Sequence, residues 1–239
     1  MVDLVYILSD ESRWLDNEIK YSLRSAEKYL KRFRKVFIIG QKPLFFNDLV
    51  IEIPFKDIYG NKARNIQSKI SRAAGDYRIT NNFILFNDDY FLLKDADAME
   101  YPFYFKNTLP QALDANAGNY EYHSHIRYTM NALSFFDLPM LNFDSHYPIL
   151  YNKAKVKKVV NKYIWNNPFG LIFKSTYCNT LGIVGEFKED CKINHPHVYD
   201  NWKNVTKGLD MFSIGDRCLN KSMEQYLFHL FPKKSKYEV

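Results

Sequence analysis

A chain of 239 residues can bury one substantial core, so a single α/β domain over residues 1–239 is the simplest count. Hydrophobic residues at 46% and charged residues at 25% exclude a disordered chain, and no apolar run approaches the roughly 20 residues needed to span a bilayer. The formal charge of +6 points to an anionic partner (a nucleotide, a phosphorylated glycan, a nucleic acid or an acidic membrane surface), and the lack of zinc spacing and of arginine-rich or RNP-like motifs argues against nucleic acid.

The N-terminus, Met1–Tyr6, lacks the basic and apolar regions of a signal peptide. Asp3–Ser9 reads as a first buried strand ending in the polar Asp10-Glu11-Ser12. Asp16 is a candidate N-cap, and apolar residues at 19, 23, 26, 30 and 33 keep helical spacing, with Lys31, Arg32 and Arg34 placed for the end of the helix dipole. Val36–Ile39 is a second strand stopped by Gly40, and Val50–Ile53 a third. Asp57–Gly60 is a turn, and Asn65–Ala74 a second helix with Ile66 and Ile70 on one face. Phe83–Phe91 then runs as a buried strand into Asn87-Asp88-Asp89. Adjacent carboxylates at a strand end suit a divalent cation at the sheet edge, and they equally suit an acidic turn. The β-α-β-β-α-β order calls for a parallel nucleotide-binding sheet, although both the glycine-rich dinucleotide fingerprint and the P-loop are missing.

Residues 95–145 lack clear periodicity and read as loops and short strands over the active face. Ala154–Ile164 is a lysine-rich helix closed by Asn166-Asn167-Pro168, with a solvated face as its ordinary reading. Leu171–Phe173 is a short strand or a helix end. Gly208–Asn220 is a strand and turn, and Ser222–Leu230 a final helix stopped by Pro232. Three cysteines without metal spacing are expected to be free thiols in a reducing cytoplasm.

Several stretches recur in a recognisable order. They are Asp3–Asp10, Asp16-Asn17-Glu18-Ile19-Lys20-Tyr21-Ser22-Leu23-Arg24-Ser25 followed by Val36–Pro43, Asn87-Asp88-Asp89, His146-Tyr147-Pro148, Phe212–Asp216 and Phe231–Glu238. Together they resemble the stealth family of bacterial capsular polysaccharide phosphotransferases and the related lysosomal-enzyme N-acetylglucosamine-1-phosphotransferase. The family's L-P-T-F-N-S segment is reduced here to Ala63–Ser68, with Asn65 the best match. Lys174 stands where an arginine belongs, and Gly215-Asp216 replaces an Asn-Asp pair.

The resemblance implies a glycosyltransferase-A-like, Rossmann-type sheet flanked by helices. It also implies transfer of a sugar-1-phosphate from a nucleotide-diphosphate sugar, UDP-linked by expectation, to a glycan hydroxyl in capsular or cell-surface polysaccharide synthesis. Asp88 and Asp89 would hold Mg2+ or Mn2+, whose preference is for hard oxygens. His146 would be the general base, with His195 and His197 as a competing site. Asp216 would bind metal or orient the acceptor, with a turn residue as its alternative. Asp10 and Asp16 would face the donor, helix capping being the other reading of Asp16. Asn65 would contact substrate, and Lys174 the transferred phosphate, against a plain surface lysine. Arg24 would act as a ligand or pair with a neighbouring acid. A metal-dependent glycosyltransferase releasing nucleoside diphosphate is the rival on the same scaffold, and a non-catalytic glycan- or nucleotide-binding module the rival from another class. The expected location is cytoplasmic, with peripheral contact at the inner membrane face through the basic surface.

Overall fold

A computed structural model describes residues 1–9, 12, 14–163 and 169–239. Asp10 and the Asn166–Pro168 helix stop therefore lie outside the described residues. The first half runs β1 (Val2–Ile7), α1 (Asn17–Tyr29), β2 (Leu30–Lys31), β3 (Phe33–Ile39), β4 (Val50–Ile53), α2 (Lys62–Gly75), β5 (Asn82–Phe86) and β6 (Tyr90–Leu92). Short strands β7 (Ala96–Asp97), β8 (Tyr104–Phe105) and β9 (Asn107–Thr108) lead to α3 (Leu109–Ala115) and α4 (Tyr120–Ser134). Then come β10 (Leu141–Asn142), β11 (Ile149–Asn152), α5 (Lys153–Lys162), α6 (Phe173–Thr180), β12 (Glu186–Phe187), β13 (Lys192–Ile193), α7 (Tyr199–Val205), β14 (Met211–Ile214) and α8 (Lys221–Leu230).

The central sheet has the order β11-β5-β1-β3-β4, parallel except for the edge strand β11. Both faces are covered, so its strands are nearly continuous apolar runs rather than alternating ones. Leu4, Tyr6, Val36, Ile38, Ile84 and Phe86 pack with Ile19, Leu23 and Ala26 of α1. Val5, Phe37, Ile39, Phe83 and Leu85 face the other way, onto residues of α2, α5 and α6 such as Ile70, Val156 and Tyr177. The result is a mixed α/β fold with a mostly parallel sheet between helices, compatible with a Rossmann-like arrangement. The chain steps outward from β1 to β3 and β4, then crosses back to β5 on the far side of β1. The crevice beyond the carboxyl ends of β1 and β5 is therefore the switch point at which open α/β sheets take ligands.

Two buried clasps hold this frame. At the amino end of the sheet, Asp3 is fully buried and bonded by Arg34 (3.0 and 2.9 Å), Lys35 N and Thr80 N, which ties β1 to the starts of β3 and β5. Burial alone would raise its pKa, but these donors outweigh burial and hold it below the ordinary value. On the face covered by α1, Arg24 forks onto Glu238 (2.7 and 2.6 Å) and reaches Phe231 O. The terminal residues are further stitched to 45–47 through Asn47 N to Tyr237 O and Val239 N to Phe45 O. Glu238→Ala leaves the Arg24 guanidinium buried without its fork, and we expect it to cost about 3 kcal/mol. An unchanged urea midpoint would contradict this.

Three expectations need correction. The first helix stops at Tyr29 rather than continuing through Phe33, because Leu30 turns extended to pair with Ala96 and Arg32 takes a left-handed φ of 59°. Lys31, Arg32 and Arg34 therefore do not serve its dipole; Arg32 pairs with Asp97 and Glu100, and Arg34 with Asp3. Phe83–Phe91 is not one strand. It breaks at Asn87–Asp89, and β6 joins β14 and β13 in a second sheet. Residues 95–145 hold two helices as well as short strands. The longer, α4, buries Ser124, His125 and Thr129 beside Ile126 and Leu133, so polar buried positions dilute its apolar period. A local signal was present for α3: Thr108 and Gln111 form a capping box with Pro110 in the first turn. The ambiguous Leu171–Phe173 stretch leads into a helix, α6, rather than forming a strand.

Candidate functional site

The Asn87–Asp89 turn is placed by α1. Ser22 Oγ donates to Tyr90 O (2.6 Å) and contacts the Tyr6 hydroxyl (3.1 Å), while Ser25 Oγ accepts from Leu92 N (3.0 Å). The two serines of the Asp16–Ser25 stretch thus fix where β6 leaves the turn. Beyond them the helix start brings Glu18 toward the same place. Ser12 Oγ accepts from Trp14 N and Asp16 N and donates to Glu18 Oε1 (2.9 Å). Asp16 stands at the N-cap position with a left-handed φ of 58° and makes no side-chain cap bond. Leu15 before it is also left-handed at 54°. Two successive non-glycine residues in that region store strain, a feature that clusters at ligand sites.

The acids there repel one another. Burial, then the charges of Asp89 and Glu18, push Asp88 up to about 8, against a smaller lowering by Lys62. Glu18 is raised as well, first by burial and then by Asp16 and Asp89, against its bond from Ser12. Asp89 Oδ2 accepts from Ser213 Oγ (2.7 Å), whereas Asp89 Oδ1 and Glu18 Oε2 are buried without a hydrogen-bond partner. Orphaned carboxylate oxygens beside a carboxyl held protonated call for positive charge. Among the described residues no set of three or more His, Cys, Asp or Glu lies close enough to hold a metal ion by itself. Mg2+ is commonly held by one or two carboxylates plus substrate phosphates, so the donors present fit that mode.

His146 sits in the segment between β10 and β11, where four backbone groups are engaged by side chains. Its N donates to Asp190 Oδ1 (2.9 Å), and Nδ1 lies 2.9 Å from both Asp190 oxygens. Cys191 Sγ donates to His146 O (3.1 Å). Lys174 Nζ donates to the flanking carbonyls of Ser145 (3.0 Å) and Tyr147 (2.8 Å) and to the Tyr90 hydroxyl (3.0 Å). Asp190 also binds Lys106 (2.7 Å). Burial works to raise the Asp190 pKa, but the hydrogen bond and charge of His146 and the Lys106 ammonium overcome it and hold the carboxyl well below the carboxylate range. Burial lowers the Lys174 pKa, and Asp144 and Asp190 oppose this.

The two clusters are joined. Asp89 is bonded by Ser213, whose N donates to Cys191 O (3.2 Å), and Cys191 follows Asp190 in the chain. Burial, then the charges of Asp190 and Asp89, push the Cys191 thiol up to about 12, so both acids act at one point. Asp88, Asp89, His146 and Lys174 thus share a neighbourhood, with Tyr90 between Asp89 and Lys174. Lys174 is no surface lysine: it braces the loop that carries His146. Lys174→Met should lose three bonds and destabilise by about 3 kcal/mol. Lys174→Arg should not rescue it, since a planar fork cannot reproduce three converging bonds from one nitrogen. A wild-type melting curve for Lys174→Arg would refute that assignment.

Other candidates lie elsewhere. Asn65 is buried and closes a loop by bonding both Tyr59 N and Tyr59 O. Arg24 is directed to Glu238. Asp216 is exposed in a single 3-10 turn, Asp216–Cys218, and among the described residues no hydrogen bond or ion pair joins it to Asp88, Asp89 or His146. His195 is exposed, and His197 packs edge-on against Trp202. An open depression of about 480 Å³ between α7 and α8, lined by Tyr199, Gln225, Phe228, His229 and Pro232, includes none of the candidate residues. Sequence reasoning missed Asp190, Cys191 and Ser213; none carries a local pattern, and Asp190 is 44 residues from its histidine.

No protein-family profile matches the chain, and no curated protein matches it significantly. No helix among the described residues is long and apolar enough to cross a membrane.

Proposed function

We propose that this protein is a sugar-1-phosphate transferase of glycosyltransferase-A-like fold, moving hexose-1-phosphate from a nucleotide-diphosphate sugar to a glycan hydroxyl in cell-surface polysaccharide synthesis. The observation that carries the reading is the His146–Asp190 pair linked through Cys191 and Ser213 to the acids at the carboxyl end of β5. Asp190 accepting at Nδ1 keeps the proton there and presents Nε2 as the base, the arrangement general-base catalysis needs. The acceptor hydroxyl gives its proton to Nε2 as its oxygen bonds to the sugar-bearing phosphorus. The phosphoanhydride bond breaks on the opposite side, and nucleoside monophosphate leaves. Bound Mg2+ or Mn2+ would neutralise charge on the diphosphate. Asp88 and Asp89 would hold it, and Lys62, whose charge already acts on Asp88, would add to the cationic side of the donor site.

The test is to incubate the protein with a panel of nucleotide sugars, Mg2+ and a glycan acceptor, and to identify the nucleotide released. Monophosphate is the expected product with a UDP-sugar. Release of diphosphate would assign a glycosyltransferase on the same scaffold, and no turnover with any donor would favour a binding module.

A further inference from the structure

The helix α5 carries five lysines and no acid over Lys153–Lys162, nearly the whole formal excess of +6. Val156 and Val159 are buried beneath it, while Lys155, Lys157 and Lys158 are exposed. Lys155, Lys158 and Lys162 recur at helical spacing and form one stripe. On the opposite side of the helix, Lys153 Nζ is spent inside the fold, donating to Asp76 O and Ile79 O. The far end of the stripe meets exposed aromatic rings. There Lys162 Nζ lies 4.0 Å from the ring centre of Phe136, which packs on Tyr163 at 5.4 Å. Phe135, beside it, is 82% exposed. Nearby carboxylates offset little: Asp76 is taken by Arg78 at 2.8 Å, and the exposed Asp137 subtracts one charge.

We infer that this face docks on an anionic lipid bilayer, with the lysine stripe over the headgroups and Phe135 and Phe136 set into the interface. Charge complementarity alone would serve any polyanion. The exposed rings decide between them, because a soluble polyanion offers them no apolar medium, whereas the headgroup boundary takes aromatic side chains at that depth. The surface would bind whether or not the chain transfers sugar phosphate.

The experiment is sedimentation of the full chain with vesicles of phosphatidylcholine alone or with about 30% phosphatidylglycerol, at about 0.1 M salt, where screening still leaves short-range attraction. Binding is expected only to the anionic vesicles, and high salt should release it. The K155Q/K158Q/K162Q variant should lower the partition coefficient by about a hundredfold, and Phe135→Ser by several-fold, with circular dichroism and melting unchanged. Equal sedimentation with both vesicles, no binding to either, or wild-type binding by the glutamine variant would overturn the inference. So would an inert Phe135→Ser together with displacement by dextran sulfate, which would make the stripe a polyanion site.

Discussion

His146→Gln is expected to reduce nucleotide release by about 10³-fold, since a positioned base contributes roughly 10²–10⁴. Asp190→Asn should cost about a hundredfold or more, because an amide no longer holds the imidazole proton on Nδ1. The two losses should not multiply in the double variant, as they act on one proton transfer. A purely structural Asp190 would instead lower stability and leave turnover per folded molecule unchanged. The same residue makes a statement about acid stability. Its pKa in the fold is depressed by His146 and Lys106 despite burial, so its contribution is present above the unfolded value near 3.9 and is lost as pH falls toward the folded one. The stability gap between wild type and Asp190→Asn should therefore be full near neutrality and shrink below about pH 4. A gap that stays constant with pH would refute the pairing.

Asp88→Asn should raise the melting temperature of the protein in chelator at pH 8 by roughly 10–20 °C, a rise of about four pKa units being worth about 5 kcal/mol and each kcal/mol 2–4 °C for a chain of this size. Here the shift has the opposite sign. Burial and the charges of Asp89 and Glu18 push the Asp88 carboxyl up to about 8, so the fold resists its ionisation. The penalty begins above the unfolded value near 3.9 and grows until pH reaches the folded one, so wild type loses stability across that window while Asp88→Asn does not. Below about pH 4 the two should melt alike. Adding Mg2+ at pH 8 should restore wild type and leave Asp88→Asn/Asp89→Asn unmoved. Equal melting of wild type and Asp88→Asn at pH 8 would remove the electrostatic case for a cation at this turn.

These predictions rest on different depths of information. The succession of β1, α1, β3, β4, α2 and β5 was legible because each element writes its own period or apolar run locally, and the Asn-Asp-Asp break marks where β5 ends. Helix α4 was not legible, because Ser124, His125 and Thr129 are buried at positions where an amphipathic helix would carry apolar residues. Neither was the end of α1, since Leu30 and Phe33 keep helical spacing yet are drawn into strands by partners far along the chain.

The site divides in the same way. Residue types alone left Asp88 and Asp89 an even choice between an acidic turn and a cation site; the matched stretches, in their order along the chain, nominated His146 and Lys174 and supplied the expectation of phosphate-transfer chemistry. What those side chains touch was decided by tertiary structure. Asp190 meets His146 across 44 residues, Ser213 meets Asp89 across 124, and Arg24 meets Glu238 across 214. A carboxyl pushed to about 8 and another held far below its usual range are the same functional group in the sequence. They differ because one is buried among acids and the other beside an imidazole and an ammonium, and only folding brings those neighbours together.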